Sequence, residues 1–379
     1  MAIRAERSAL SASRDLLDNA HPALRRCWHP VARSVEVTEA PRRVWLVGEP
    51  WVAVRLAGEA VVLADRCPHR LAPLSEGRVV DDLLQCAYHG WRFGRDGGCA
   101  AVPSLGAEPG RALPPRAHAR APFGVVERYG LVFVAIDEPL VPLPELDVFD
   151  EDRMADPESR YVEMGPYEGP YGAGQLIDNQ IDASHFAILH RETFGNDAAA
   201  ELPPFEVVRS EHGFAVDFDV PISARNDPAA AAGIRPVEQY RRMHYRYLVP
   251  FHLVLHLEYP VMGGDNTIVF WVQPETAERC RMYITLRLSQ PGGFTDRQLA
   301  DRIEFETRVV QEDLDLQATF DHQSLPLDPR IECHVKVDRA ALEYRRLLRA
   351  LVDQAAGVTE VAALGEDAQV TMTPVGGHR

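Results

Sequence analysis

Residues 67–91 read CPHRLAPLSEGRVVDDLLQCAYHGW, and they restrict the fold more than any other stretch. Two boxes, Cys67-x-His69 and Cys86-x-x-His89, each join one thiol to one imidazole across sixteen intervening residues. Each box falls in a turn between short apolar runs, so the backbone must present two loops to one another. Six cysteines in 379 residues are too few for a disulfide scaffold. In a reducing compartment a close Cys/His group reads as a metal site. Cys27, Cys99, Cys280 and Cys333 stand apart and read as buried thiols serving as small apolar residues.

Two metal chemistries use this donor set. Zinc takes two Cys and two His in a tetrahedron. A Rieske centre takes two Cys on one iron of a 2Fe–2S cluster and two His on the other. Zinc fingers usually keep Cys with Cys and His with His, whereas both boxes here are mixed, which favours the cluster. No further cysteine clamps the loops, and Trp91 stands where a serine could donate to a cluster sulfur. Fewer donors to sulfur place the expected potential in the lower part of the Rieske range.

The formal charge of −16 argues against a nucleic-acid or anionic-membrane partner, because phosphate binding needs a basic surface. Arginine nearly replaces lysine, and Lys336 is the only lysine. No apolar run approaches the length of a membrane helix. The start, MAIRAERSALSASRDLLDNA, has no continuous apolar core of a signal peptide, so the expected location is the cytoplasm. Neither GxGxxG nor GxxxxGK[ST] occurs, so nicotinamide and flavin chemistry is expected on another protein.

Length and apolar content suggest about two domains. Runs such as RVWLVG, WVAVRLAG, EAVVLAD and FGVVERYGLVFVAID alternate at period two between Gly and Pro, predicting a small all-β domain over residues 26–145 after an N-terminal helix or extension over 1–25. The Pro- and acid-rich stretch 137–160 reads as a linker. Residues 146–379 mix strands with helices, among them one opened by Thr295 or Asp296. The expected class is α+β, with helices against an antiparallel sheet.

Within that second part, GAGQLIDNQIDASHFAILH reads as helix and contains Asn179, Asp182, His185 and His190. On a helical projection Asp182 falls between the histidines, about 60° from one and about 80° from the other. The five-residue step between His185 and His190 is wider than one turn, so a widened turn or a helix end is expected. A mononuclear iron that activates oxygen typically takes two His and one carboxylate. In the long helix, Val309, Val310, Leu316 and Phe320 lie within about 60° of Asp313, which places this acid in an apolar stripe and makes it the candidate third ligand. Glu312 lies at the edge of that stripe. Alternation in FHLVLHLEY sets His252, Val254 and His256 on one face and Leu253, Leu255 and Leu257 on the other. His252, His256, Phe186, Phe194 and Trp271 are the candidate pocket residues.

CPHR and CAYHGW, the pattern N-x-x-D-x-x-H-x-x-x-x-H from Asn179 to His190, and Glu312-Asp313 occur in that order. With them the chain resembles the catalytic α subunit of Rieske non-heme iron aromatic-ring-hydroxylating oxygenases. Its length is closer to the homomeric branch, which includes vanillate and dicamba O-demethylases, carbazole dioxygenase and ketosteroid hydroxylases. The resemblance implies a Rieske cluster at Cys67, His69, Cys86 and His89, and a mononuclear Fe(II) at His185, His190 and Asp313. It implies O2 as co-substrate, NAD(P)H acting only through a separate flavin reductase, with or without a ferredoxin, and hydroxylation, dihydroxylation or oxidative demethylation of an aromatic or polycyclic small molecule. It also implies a head-to-tail homotrimer in which Asp182 bridges a Rieske histidine of one subunit and an iron ligand of the next. Arg70, Arg92 and Arg95 read either as a rim for an acidic ferredoxin or as a solvated surface. A Rieske-type electron carrier without oxygenase activity is the alternative, and a zinc-stabilised binding module a further one. Neither accounts for Asp313.

Overall fold

The alternating runs of the first third pair with their sequence neighbours. A computed structural model describes residues 15–106, 113–224, 233 and 236–357. Arg42–Leu46, Glu49–Leu56 and Glu59–Ala64 form an antiparallel sheet of three strands. Both of its hairpins turn on two residues with positive φ, Val47-Gly48 and Ala57-Gly58. That conformation suits the strand twist but disfavours a β-branched residue such as Val47. Val47 and Gly48 are held there by backbone hydrogen bonds to the carbonyls of Pro274 and Glu275, both 2.8 Å. The first hairpin is thereby seated on a distant strand. A second sheet joins Arg78–Val80, Leu83–Gln85, Arg92–Phe93 and Cys99–Ala101, and a third joins His29–Arg33 to Gly124–Arg128 and Leu131–Ala135.

The remainder is built on seven antiparallel strands. In spatial order they are Ser159–Gly169, Arg279–Ser289, Asp265–Thr276, His252–Glu258, Glu238–Leu248, Gly213–Ser223 and Val207–Ser210. One face packs Met243, Tyr247, Ile284 and Leu286 with residues of the helices Ala173–Ile181, Asp296–Gln317 and Arg339–Ala355. The opposite face puts Val254, Val269, Trp271 and Tyr283 against Leu131 and Phe133 of the N-terminal strands. An antiparallel sheet with both faces covered accounts for the near-continuous apolar character of Asp265–Thr276.

Four elements differ from their sequence reading. Stretch 137–160 is no loose connector, because Leu146 and Val148 are buried with Trp271 and Tyr283, and the Leu146 amide donates to the Tyr129 hydroxyl at 3.0 Å. Within the expected N-terminal helix or extension, residues 1–14 lie outside the described residues. Leu16–Leu17 is instead a short strand paired with Leu325–Pro326, and Pro22–Arg26 is a single 3₁₀ segment. The long helix, which the sequence pattern extends to Gln323, starts as expected at an N-cap Thr295, whose hydroxyl accepts from the Gln298 amide, but it ends at Gln317. Of the lone cysteines Cys27 and Cys280 are buried, Cys99 is partly so, and Cys333 is exposed. No helix of the described residues is long and apolar enough to cross a membrane.

Two buried histidines, His29 and His252, lie near one another where the N-terminal strands meet the large sheet. Burial lowers His29 to about 4, and burial with the neighbouring His29 lowers His252 to about 3. Both lie below the ordinary unfolded value near 6.5, so below that pH the unfolded chain binds protons that the folded chain refuses. Each histidine then adds a stability slope of about 1.4 kcal/mol per pH unit, rising with pH and present between the folded and unfolded values. His252→Gln is expected to weaken the loss of stability between about pH 7 and pH 5 by close to one proton's share. Guanidinium midpoints at the two pH values measure this, and an equal drop in both proteins excludes His252 as a cause.

Candidate metal centres and cavity

The two Cys/His boxes fold as matching turns. The Cys67 amide donates to the Ala72 carbonyl and the Leu71 amide to the Cys67 carbonyl, while Cys86 bonds to Trp91 and Gly90 to Cys86 in the same pattern. Each turn needs one residue at positive φ, Leu71 at 60° and Gly90 at 72°. Cys67 and Cys86 are buried in one cluster with Leu74, Leu84 and Phe93. Burial, with the adjoining Cys86 thiol, pushes the Cys67 thiol up to about 11. The His69 and His89 rings lie 4.5 Å apart, and His69 stacks on Trp91 at 4.6 Å and 6°. His69 Nδ1 is buried with no hydrogen-bond partner. Two close thiols and two close imidazoles, one with an orphaned nitrogen, fit a Rieske cluster. Around the rim, Arg92 pairs with Asp81 and Arg95 with Glu59, which offsets much of the positive charge.

Helix Ala173–Ile181 ends at Asp182, whose ψ of 121° is extended. His185 and His190 then flank the short helix Phe186–Leu189. The expected helix end is present, but one continuous wheel does not describe the three residues. They converge through this turn instead. Asp182 accepts from the Ser184 amide and hydroxyl, both at 2.8 Å, and its Oδ2 lies 3.8 Å from His185 Nδ1. Burial alone would raise the Asp182 carboxyl, but His185 and Ser184 outweigh it and hold the group below its usual range. Asn179 sits in the last turn of the helix with its buried Nδ2 unpartnered.

Ligand atoms of His185, His190 and Asp313 all lie within 4.8 Å of one another. Asp313 Oδ1 is 3.4 Å from His185 Nε2 and 3.3 Å from His190 Nε2. Both Asp313 Oδ1 and His185 Nε2 are buried without a hydrogen-bond partner, an arrangement a divalent cation would satisfy. Burial would lower His185, but the carboxylates of Asp182 and Asp313 raise it to about 9, so a cation binding here competes with a proton. Asp313 stays well below the carboxylate range, because the two histidines outweigh its burial. His190 Nδ1 bonds Glu312 Oε2 at 2.7 Å, and Thr193 donates to the same oxygen at 3.0 Å. Gln180 Nε2 donates to Asp313 Oδ2 at 3.1 Å. Glu312 thus leaves Nε2 of His190 for metal, and Gln180 orients the ligand acid. Neither orienting role is evident in sequence, beyond the place of Glu312 next to Asp313.

A cavity of about 50 Å³ opens beside this triad, lined by His190, Asp313, Phe186, Phe194 and Arg241 at one end and by Leu255, Leu257, Ile268 and Phe270 along the sheet. Phe186 and Phe194 therefore reach the cavity. His252, His256 and Trp271 do not, since the leucine face of their sheet turns toward the helices. His252 packs on Phe133 and Trp271 on the opposite face, while His256 accompanies His244 and contacts Thr267 Oγ1. Leu316 and Phe320 are also exposed rather than buried beside Asp313. The covered face of that helix is Glu306, Val310, Asp313, Leu314 and Gln317, spaced by three and four, because it roofs a polar centre.

Comparison with known proteins agrees with both centres. The Rieske [2Fe-2S] domain family matches residues 27–120, and the vanillate O-demethylase oxygenase C-terminal domain family matches residues 172–354. The chain belongs to the Rieske non-heme iron oxygenases. As such an oxygenase it carries the two-iron cluster and the mononuclear iron, uses O2, and draws electrons from a partner protein. Methylxanthine N3-demethylase NdmB of Pseudomonas putida is 29% identical over 338 residues, which is 85% of this chain and 88% of the relative. Toluene-4-sulfonate monooxygenase system iron-sulfur subunit TsaM1 of Comamonas testosteroni is 35% identical over 185 residues, 48% of this chain and 50% of the relative. The structure of Pseudomonas putida CBB5 NdmA with caffeine superposes with a TM-score of 0.76 at 27% identity, covering 90% of this Rieske oxygenase and 94% of the other.

Proposed function

We propose that this Rieske oxygenase removes a methyl group oxidatively from a nitrogen or oxygen of a planar ring compound. The observation that carries the reading is a cavity that sets the apolar sheet residues Leu255, Ile268 and Phe270 in one lining with His190 and Asp313. Supporting it, one matched domain is of the vanillate O-demethylase type and two of the relatives are named as N-demethylases. When bound, the cluster supplies electrons one at a time and the mononuclear iron supplies the place where oxygen is activated. Cys67, His69, Cys86 and His89 hold the first group, and His185, His190 and Asp313 the second. Glu312 and Gln180 keep two of the iron ligands in orientation, and the apolar wall excludes water from the substrate ring. One oxygen atom of O2 goes to the methyl carbon, which leaves as formaldehyde, and the other leaves as water, taking two electrons from the partner and two protons from solvent.

The accompanying assignments are a cluster domain over 26–145, a catalytic domain over 146–379 and a homotrimer. In that assembly the partly exposed Asp182, with Asn179 in the preceding turn, lies at the subunit interface. The test supplies reductase, NADH and O2 with N-methyl and O-methyl aromatic compounds, and measures formaldehyde against O2 consumed. Formaldehyde close to one per O2 is the expected result. Substrate-dependent O2 consumption with ring-hydroxylated product and no formaldehyde replaces demethylation by hydroxylation.

A further inference from the structure

Three arginines of the described residues are buried, and two of them have carboxylates. Arg287 pairs with Asp265, and Arg345 pairs with Asp178 at 2.7 Å and with Glu332 at 2.8 Å. Arg241 is 6% exposed, yet its side chain has no ion pair and no hydrogen-bond partner among the described residues, and its Nε is buried and unmatched. It lines the cavity together with the metal ligands His190 and Asp313. Its guanidinium lies 4.1 Å from the centre of the Phe194 ring and 5.2 Å from that of Phe186, and Phe194 in turn stacks on His190 at 4.9 Å.

A buried cation with no counter-charge is costly to retain. Contact with two aromatic faces recovers part of that cost and fixes the plane of the guanidinium, but it supplies no hydrogen-bond acceptor. The other charges of the cavity do not supply one either. Glu306 is paired with Arg302 at 3.0 Å, and Asp313 is committed to His185, His190 and Gln180. The planar fork of arginine matches an oxyanion with two oxygens in one plane, and the missing acceptor is supplied if it enters with the ligand.

We infer that the substrate is an anion, a ring compound carrying a carboxylate or sulfonate that Arg241 receives beside the metal centre. This rests on the reading of the cavity as the substrate site. A neutral ring leaves the guanidinium unmatched, so the site discriminates against it even where shape is equal.

The experiment is calorimetric titration of the iron-loaded holoprotein without air, using two matched pairs. These are 4-methoxybenzoate against 4-methoxybenzamide, and toluene-4-sulfonate against toluene-4-sulfonamide. At least one anion is expected to bind about 10-fold or more tightly than its amide, and the favoured pair tells carboxylate from sulfonate. Arg241→Met is expected to abolish the preference, and Arg241→Lys to keep part of it, with the visible cluster spectrum unchanged in both. Equal binding of acid and amide by the unaltered protein, binding of none of the four, or a full preference in Arg241→Met overturns the inference. Iron analysis of the same samples separates this from the enzymatic reading. An anion preference in a chain that takes up no third iron keeps the anion site and removes the oxygenase, whereas O2 consumption driven equally by acid and amide does the reverse.

Discussion

Asp313→Asn retains the visible spectrum of the 2Fe–2S cluster, holds about two irons instead of about three per chain, and shows no oxygenase activity above background. The side chain is almost fully buried and its Oδ1 lies 3.4 Å from His185 Nε2 and 3.3 Å from His190 Nε2. Asparagine preserves the volume, and the Gln180 amide can still find an oxygen, so the roof helix keeps its packing. What disappears is the anionic ligand. Two neutral imidazoles without a carboxylate hold a divalent cation far more weakly, and the site remains empty after purification. The cluster domain has its own ligands in its own loops and is unaffected. Iron and acid-labile sulfide per chain, set beside O2 consumption, check all three statements. Three irons in the variant would remove Asp313 from the ligand set.

How much of this was legible in the sequence follows from how local each feature is. The Cys/His boxes are short chelating loops, and every residue that shapes them, including Gly90 at positive φ, lies within six positions of a ligand. His185 and His190 share one short segment, so their spacing alone announced a break in the helix. Asp313 stands out in sequence because an acid among apolar neighbours on a helix needs a reason, and the fold sets it beside His185 and His190. Its neighbours on the helix are less legible. Leu316 and Phe320 stay exposed, while Glu306 and Gln317 are covered, because the helix roofs a polar centre.

Alternation separated His252 and His256 from Leu255 and Leu257, as the two faces require. Period two carries no information on which face the helices cover, and that choice is settled by packing between segments distant in sequence. His252 therefore belongs to the junction with the N-terminal strands rather than to the cavity. Arg241 escaped sequence reading for the same reason. One arginine among several in a strand with the reading EQYRRMHYRYL looks solvated, and only the pairing of that strand with Leu255 and Leu257, and the approach of Phe186 and Phe194, bury it.

Asp182→Asn is expected to leave iron and sulfide near the unaltered values and to lower coupled turnover about 10- to 100-fold, the usual cost of removing a partner of a metal ligand. Asp182 caps the helix end, is pinned by Ser184, and remains ionised at neutral pH because His185 and Ser184 outweigh its burial. Its carboxylate lies 3.8 Å from His185 Nδ1, too far for a hydrogen bond but close enough for its charge to favour a proton on that nitrogen, which leaves Nε2 for the metal. About a third of the Asp182 side chain remains exposed, which leaves room for a second subunit's group. Asparagine keeps the size and one acceptor oxygen but removes the charge. The ring of His185 can then turn and rest in the other tautomer, and the link across the proposed subunit interface loses its anionic member. Turnover with reductase and NADH, iron content and light scattering together separate the possibilities. Normal iron, an intact trimer and slow turnover support a positioning role in electron delivery. Lost iron would make Asp182 only a support for the ligand His185, and undiminished turnover would deny it either role.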